Sequence, residues 1–138
     1  MKIQSPAFQN NELIPAKYTC TGENIAPDLS FSEIPEETKS LALIVADPDA
    51  PSGDFVHWLV WNIDPSGDIS SGVQGKNDFG ENKYGGPCPP SGVHRYFFKL
   101  FALDSTLDIP TSSTKADLLS AIEGHILAQS KLIGKFSK

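Results

Sequence analysis

Two apolar runs divided by a short polar spacer constrain this chain more than any other feature. "LALIVA" at 41–46 is apolar at every position, with "PEETKS" before it and "DPDAP" after it; "FVHWLVWNI" at 55–63 carries aromatic or β-branched side chains almost throughout. Short runs of this kind read as strands buried on both faces, since a half-exposed strand would alternate with polar residues. Strict alternation along the second run puts Phe55, His57, Leu59, Trp61 and Ile63 on one side and Val56, Trp58, Val60 and Asn62 on the other. A third run, "HRYFFKLFAL" at 94–103, sets His94, Tyr96, Phe98, Leu100 and Ala102 against Arg95, Phe97, Lys99, Phe101 and Leu103, the first face being the drier.

One segment reads as a helix, "STKADLLSAIEGH". Thr114 is placed to cap it, Asp117 lies in its first turn, Leu118, Leu119 and Ile122 form an apolar stripe, and Gly124 is placed to stop it. "ILAQSKLIGKF" at 126–136 then returns to period two, which predicts a final strand with Ile126, Ala128, Ser130, Leu132, Gly134 and Phe136 facing one way. The stretches at 18–28 and 64–86 are rich in turn residues and show no periodic element. A chain of 138 residues fits one domain with a core of its own, so residues 1–138 are expected to form a single, mainly β domain with antiparallel, sandwich-like packing and one or two short helices.

The net charge of −6 and pI near 4.9 disfavour nucleic acid and anionic membrane surfaces as partners. No run approaches the length of a transmembrane segment, and the first residues lack the apolar stretch of a secretion signal, so a cytoplasmic location is the default expectation. Cys20 and Cys88 form neither a CxxC pair nor a zinc spacing. A reducing compartment argues for two free thiols, with contact between them left open.

Three features carry chemistry. "DPDAP" places the Asp47 carboxylate at the rim of a buried strand; on its own it is a turn, with Ala50-Pro51 a candidate cis bond. His57 lies within a central strand, where a packed histidine is the ordinary reading. His94 and Tyr96 share one face directly after "GGPCPPSG", a loop in which Gly86 permits close backbone approach and Pro87 stiffens the wall. If the three strands are neighbours, an acid, two imidazoles and a phenol meet at one sheet edge. No metal-ligand spacing, GxSxG elbow or other dedicated nucleophile accompanies them, so neither a metal, a cofactor nor an enzymatic activity is expected.

"DPDAP", "HWLVWNI" and "GPCPPSGVHRYFFKLFAL", in this order and spacing, resemble the phosphatidylethanolamine-binding protein family, also called Raf kinase inhibitor-like proteins. "CTGENIAPDLSF" and "EGHILAQSKLIGKF" are similar to its short bacterial and archaeal branch. The resemblance implies an antiparallel β-sandwich with Greek-key connections, a homodimer, and a pocket for phosphate-like anions. Its implied pocket residues are Asp47, His57, Gly86, Pro87, His94 and Tyr96, with Asp49 and Cys88 nearby. The leading expectation is a module that binds a small phosphorylated or carboxylate anion and has a regulatory role, with Asp47 holding one imidazole in its charged form. In the rival reading the chain inhibits a protease or kinase through surface loops such as 64–86; a hydrolase or lyase using the two imidazoles ranks third.

Overall fold

A computed structural model describes residues 1–138. Eight strands and one α-helix follow in order, with short 3-10 turns at Ala16–Tyr18 and Ile69–Ser71: β1 (Lys2–Gln4), β2 (Glu12–Leu13), β3 (Ser30–Ser32), β4 (Ser40–Asp47), β5 (Phe55–Ile63), β6 (Val73–Gln74), β7 (Val93–Leu103), α1 (Lys115–Ile122) and β8 (Ile126–Ser137). A six-stranded sheet runs β2-β8-β7-β4-β5-β6, antiparallel except for the β2–β8 pair, and β1 with β3 forms a separate two-stranded ribbon. The mainly β, largely antiparallel expectation therefore holds. In place of a second full sheet, the other layer on one face consists of the small ribbon and its flanking segments.

Burial explains this order. The strands read as buried on both faces, β4 and β5, are neighbours in the sheet; β4 is buried at every residue, and β7 flanks it. On one face Leu41, Leu43, Val45, Trp58, Val60, Phe98 and Leu100 pack under Ile3, Phe8 and Ile14 from the N-terminal segment. On the other, Ala42, Ile44, Leu59, Trp61, Phe101 and Leu103 pack under Leu118 and Ile122 of α1. Thr114 caps α1 by accepting from the Asp117 backbone N–H while the Asp117 carboxylate accepts from the Thr114 N–H, and Gly124 takes a φ of +82° just past the helix. Leu119, assigned to the apolar stripe, is 42 % exposed.

Strict alternation along β5 is corrected. Val45 pairs with Trp58 but Ala46 pairs with Val56, so His57 is an extra residue on its strand, a β-bulge. The slip turns His57 and Trp58 to the same side and sends Leu59 and Trp61 to the helix-covered face. The bulge sits beside a loop that holds it: the Val56 N–H donates to Asp78 Oδ2 at 2.7 Å and the Asp78 N–H donates to the Val56 carbonyl at 2.9 Å. Without this slip, the His57 ring would face α1.

Two further expectations are corrected. Cys20 and Cys88 are joined in a disulfide, with Cα atoms 5.4 Å apart. The Cys20 N–H donates to the Pro87 carbonyl at 3.1 Å, so the two loops are already apposed in the backbone. Every peptide bond is trans, Ala50-Pro51 included.

Candidate functional site

At one end of the sheet, β4, β5 and β7 bring Asp47, His57, His94 and Tyr96 to a common cavity of about 320 Å³. All four side chains are almost wholly buried. Asp47 ends β4 on the same face as Val45, His94 and Tyr96 alternate onto that face of β7, and the bulge supplies His57. Ala50, Pro51, Ser52, Phe55, Phe79, Cys88, Pro89 and Pro90 complete the wall. A larger groove of about 910 Å³ follows residues 1–10 and 130–132, but its charged side chains are Lys2 and Lys131, and Lys2 already pairs with Glu33 at 3.2 Å. Titratable groups of opposite kinds converge in the smaller cavity, and its chemistry decides the matter.

The Asp47 carboxylate is fully engaged. Oδ2 accepts from His94 Nδ1 at 2.6 Å, and Oδ1 accepts from the Asp49 backbone N–H at 2.7 Å. Charge-assisted bonds of this length are among the stronger ones a protein makes. The expected acid–imidazole pair thus forms with His94, and its acid has no oxygen turned unpaired toward an incoming anion.

His57 is held differently. Its Nδ1 lies 2.7 Å from the Gly85 carbonyl, which can only accept, so Nδ1 carries the proton. Burial pushes the ring's pKa below the ordinary 6.5, outweighing the opposite pull of the Gly85 carbonyl and of the Asp47 charge. The neutral ring stands edge-on to Tyr96, Phe55 and Phe79, with centroids 5.2, 5.1 and 5.4 Å away. The Nε2 atoms of His57 and His94 make no hydrogen bond to the protein, yet neither is sealed from solvent, and the cavity is the space both rings line.

Tyr96 supplies the most telling atom. Its hydroxyl is buried and has no hydrogen-bond partner, an arrangement native proteins rarely tolerate. Burial first, then the nearby charges of Asp47 and Asp49, push the phenol's pKa upward, so it remains an O–H donor. Tyr84, the other phenol of this region, satisfies its hydroxyl on the Tyr18 carbonyl at 2.7 Å.

Three residues assigned to the pocket from sequence do not line the cavity. Asp49 turns outward and grips Arg95 through both carboxylate oxygens at 2.9 Å, which holds its pKa down at about 2. Gly86 serves packing: its N–H donates to Asn24 Oδ1 at 2.8 Å, and a Cβ there would collide with that oxygen and with the Tyr18 carbonyl. Pro87 is buried, its carbonyl accepting from the Cys20 N–H at 3.1 Å. Cys88 does line the cavity, but as a disulfide it offers no thiolate.

Pro89 and Pro90 belong to the loop read from sequence as a wall of the pocket, whereas Phe79 is a lining residue that reading missed. Phe79 is presented by Asn77, whose Oδ1 accepts from the N–H groups of Phe79 and Glu81 at 2.9 and 3.0 Å while its Nδ2 donates to the Lys83 carbonyl at 2.7 Å. The one available signal was "NDFGEN", an Asx-turn sequence with an aromatic residue inside it.

The family model for phosphatidylethanolamine-binding protein matches residues 4–137. The chain belongs to the phosphatidylethanolamine-binding protein family. Among its relatives, a UPF0098 protein of Methanothermobacter thermautotrophicus is 49 % identical, the match covering 100 % of this chain and 99 % of that one. A UPF0098 protein of Aquifex aeolicus is 44 % identical, covering 100 % of this chain and 89 % of the other. A phosphatidylethanolamine-binding protein homolog of Chlamydia trachomatis superposes with a TM-score of 0.93 at 44 % identity, over 99 % of this chain and 96 % of that one. YbcL of Escherichia coli, described as a member of the mammalian family, gives 0.91 at 29 % identity over 99 % and 98 %. The bacterial and archaeal branch of the family fits these relatives. No helix of the chain is long and apolar enough to cross a membrane.

Proposed function

We propose that the chain binds a small phosphorylated anion in the cavity between Asp47, His57, His94 and Tyr96, and that occupancy regulates a partner protein. The observation that carries this reading is the pair of imidazole nitrogens, Nε2 of His57 and Nε2 of His94, left without a protein partner on the wall of one cavity. His94 would donate to a phosphoryl oxygen from Nε2 while Asp47 accepts from Nδ1. The carboxylate acts through His94, keeping its ring oriented. Regulation is supported by the cavity rim, where Phe79 is 45 % exposed yet packs on Phe55 and His57. Loop 64–86, the surface that an inhibitor of a protease or kinase would use, is through Phe79 part of the same rim, so partner binding and anion binding would be coupled.

Thermal unfolding with added inorganic phosphate tests the proposal. A ligand confined to the folded state raises the unfolding temperature by mass action. Wild type should gain stability saturably with phosphate and His94→Ala should not; a wild type indifferent to phosphate would remove the proposal.

A further inference from the structure

We propose that the open face of the β7–β8 pair is a docking surface for a short extended segment of a partner protein, one that carries acidic residues four positions apart with an apolar residue midway between them. The surface is independent of the anion site: Arg95, Phe97 and Lys99 point to the opposite face of β7 from His94 and Tyr96.

The face is built in three rows. Cross-strand register sets Arg95 against Lys135, Phe97 against Ile133 and Lys99 against Lys131. Helix α1 covers this side of the sheet over Ala42, Ile44, Phe101 and Leu103 but leaves the three rows outside its packing. Arg95, Lys99 and Lys131 are exposed, and Phe97, Ile133 and Lys135 are half-buried. An apolar row thus lies between two basic ones, and Leu13, which pairs with Lys135 and is 64 % exposed, adds an apolar side chain at the sheet edge.

A charged strand face is ordinarily just solvated, and two observations set this one apart. The first is its charge pattern. The chain holds 17 acidic residues against 11 basic ones, yet β7 and β8 contain four of those cations and no Asp or Glu. Like charges directly opposed across two strands destabilise the pair, and here the opposition occurs in two rows. Elsewhere the fold matches its cations, Lys2 with Glu33, Lys83 with Glu81 and Lys115 with Asp54. On this face only Arg95 has an acid, Asp49, which leaves its Nη1 unused; Lys99, Lys131 and Lys135 have none. The second observation is the middle row. Arg95, Lys99 and Lys131 stand 5.4, 5.8 and 5.7 Å from the Phe97 ring centroid, and beside that ring a cavity of about 240 Å³, walled by Ile44, Ala46 and Pro48, is open to an apolar side chain.

The chemistry of the partner follows from the spacing. Residues 95 and 99 lie about 13–14 Å apart along one strand, with 97 midway. A partner in extended conformation has the same rise, so its side chains at i, i+2 and i+4 fall on the three rows. The two strands of a row are about 5 Å apart, which lets one carboxylate lie between both cations. A flat anionic membrane would meet the whole chain's charge of −6, whereas a short segment meets only this face.

The test is a titration of the acetylated, amidated peptide Ser-Glu-Ser-Phe-Ser-Glu-Ser into isotopically labelled protein at about 20 mM salt, where exposed charges are little screened, read by amide shifts in heteronuclear NMR. Shifts should centre on residues 95–99 and 131–135, and affinity should fall about fivefold or more at about 200 mM salt. An isomer of the peptide with its two glutamates adjacent should bind at least about threefold more weakly. Lys99→Glu combined with Lys131→Glu keeps a like-charged row but reverses its sign, and should weaken binding about tenfold or more. If that variant does not fold, Lys99→Gln with Lys131→Gln takes its place. Lys131→Glu alone creates an opposite-charge pair, so its unfolding temperature should rise while its peptide affinity falls. Equal binding of the isomer, shifts centred elsewhere, or undiminished binding in the double variant would overturn the proposal. The absence of any shift would overturn it too; co-sedimentation of wild type, but not of the double variant, with phosphatidylserine vesicles would then assign the face to lipid.

Discussion

The protein carries two histidine–aspartate pairs near opposite ends of β7, and a comparison separates geometry from environment. His94 donates to Asp47 at 2.6 Å with side chains 9 % and 4 % exposed; His125 and Asp104, just beyond the strand, meet at 2.8 Å with both side chains 46 % exposed. The contact is nearly the same. Water screens the second pair, which amounts to a surface interaction worth little, whereas the first sits in a low-dielectric cleft beside an unsatisfied phenol. A histidine and a carboxylate in contact do not make a site; burial of the pair next to unpaired polar atoms does.

The comparison is most directly broken by removing each acid in turn. Asp47→Ala should lower stability in urea unfolding by about 3–5 kcal/mol, since it strands a buried imidazole, and Asp104→Ala by less than about 1 kcal/mol. Equal losses would mean that the two environments are not energetically distinct. The cavity end also has a covalent wall that the far end lacks. Replacing Cys20 and Cys88 by serine should cost about 2–5 kcal/mol and weaken phosphate binding, while removing His125 leaves that binding unchanged. Retained affinity in the double serine variant would show that the wall holds its shape without the link.

Tyr96→Phe sharpens the contrast from the opposite direction. The variant deletes a buried hydroxyl that has no partner in the protein, so it should gain about 1 kcal/mol. A loss of stability would indicate that the hydroxyl is satisfied within the fold.

The smallest effect expected is a pH slope. The folded-state pKa of His57 lies below its ordinary 6.5, so as pH falls under that value the unfolded chain binds more protons than the folded one and stability drops. His57→Gln should flatten the acid side of a stability-against-pH curve measured by denaturant melts from pH 7 to pH 5.

What the sequence made legible was whatever repeats locally. The full burial of β4, the alternation of β7, the Thr114–Asp117 cap and the period-two run of β8 each follow from residues close together in the chain. The candidate site was half visible for the same reason: His94 and Tyr96 share a face by spacing alone. His57 reached that face through a register slip fixed by its pairing with β4 and by Asp78, neither of which alternation can show. β1, β2 and β3 are two or three residues long and owe their pairing to tertiary contacts. The disulfide depended on two loops meeting across 68 positions, and a compartment argument pointed the wrong way. The family resemblance implies Asp49 near the pocket, but Arg95 on the outer face of β7 draws its carboxylate away.

The measurement closest to the central claim is a calorimetric titration of inorganic phosphate into wild type, His94→Ala and His125→Ala, with folding of each checked by circular dichroism. Saturable one-site binding is expected in wild type and His125→Ala, and its loss in folded His94→Ala. Undiminished binding in His94→Ala would contradict it.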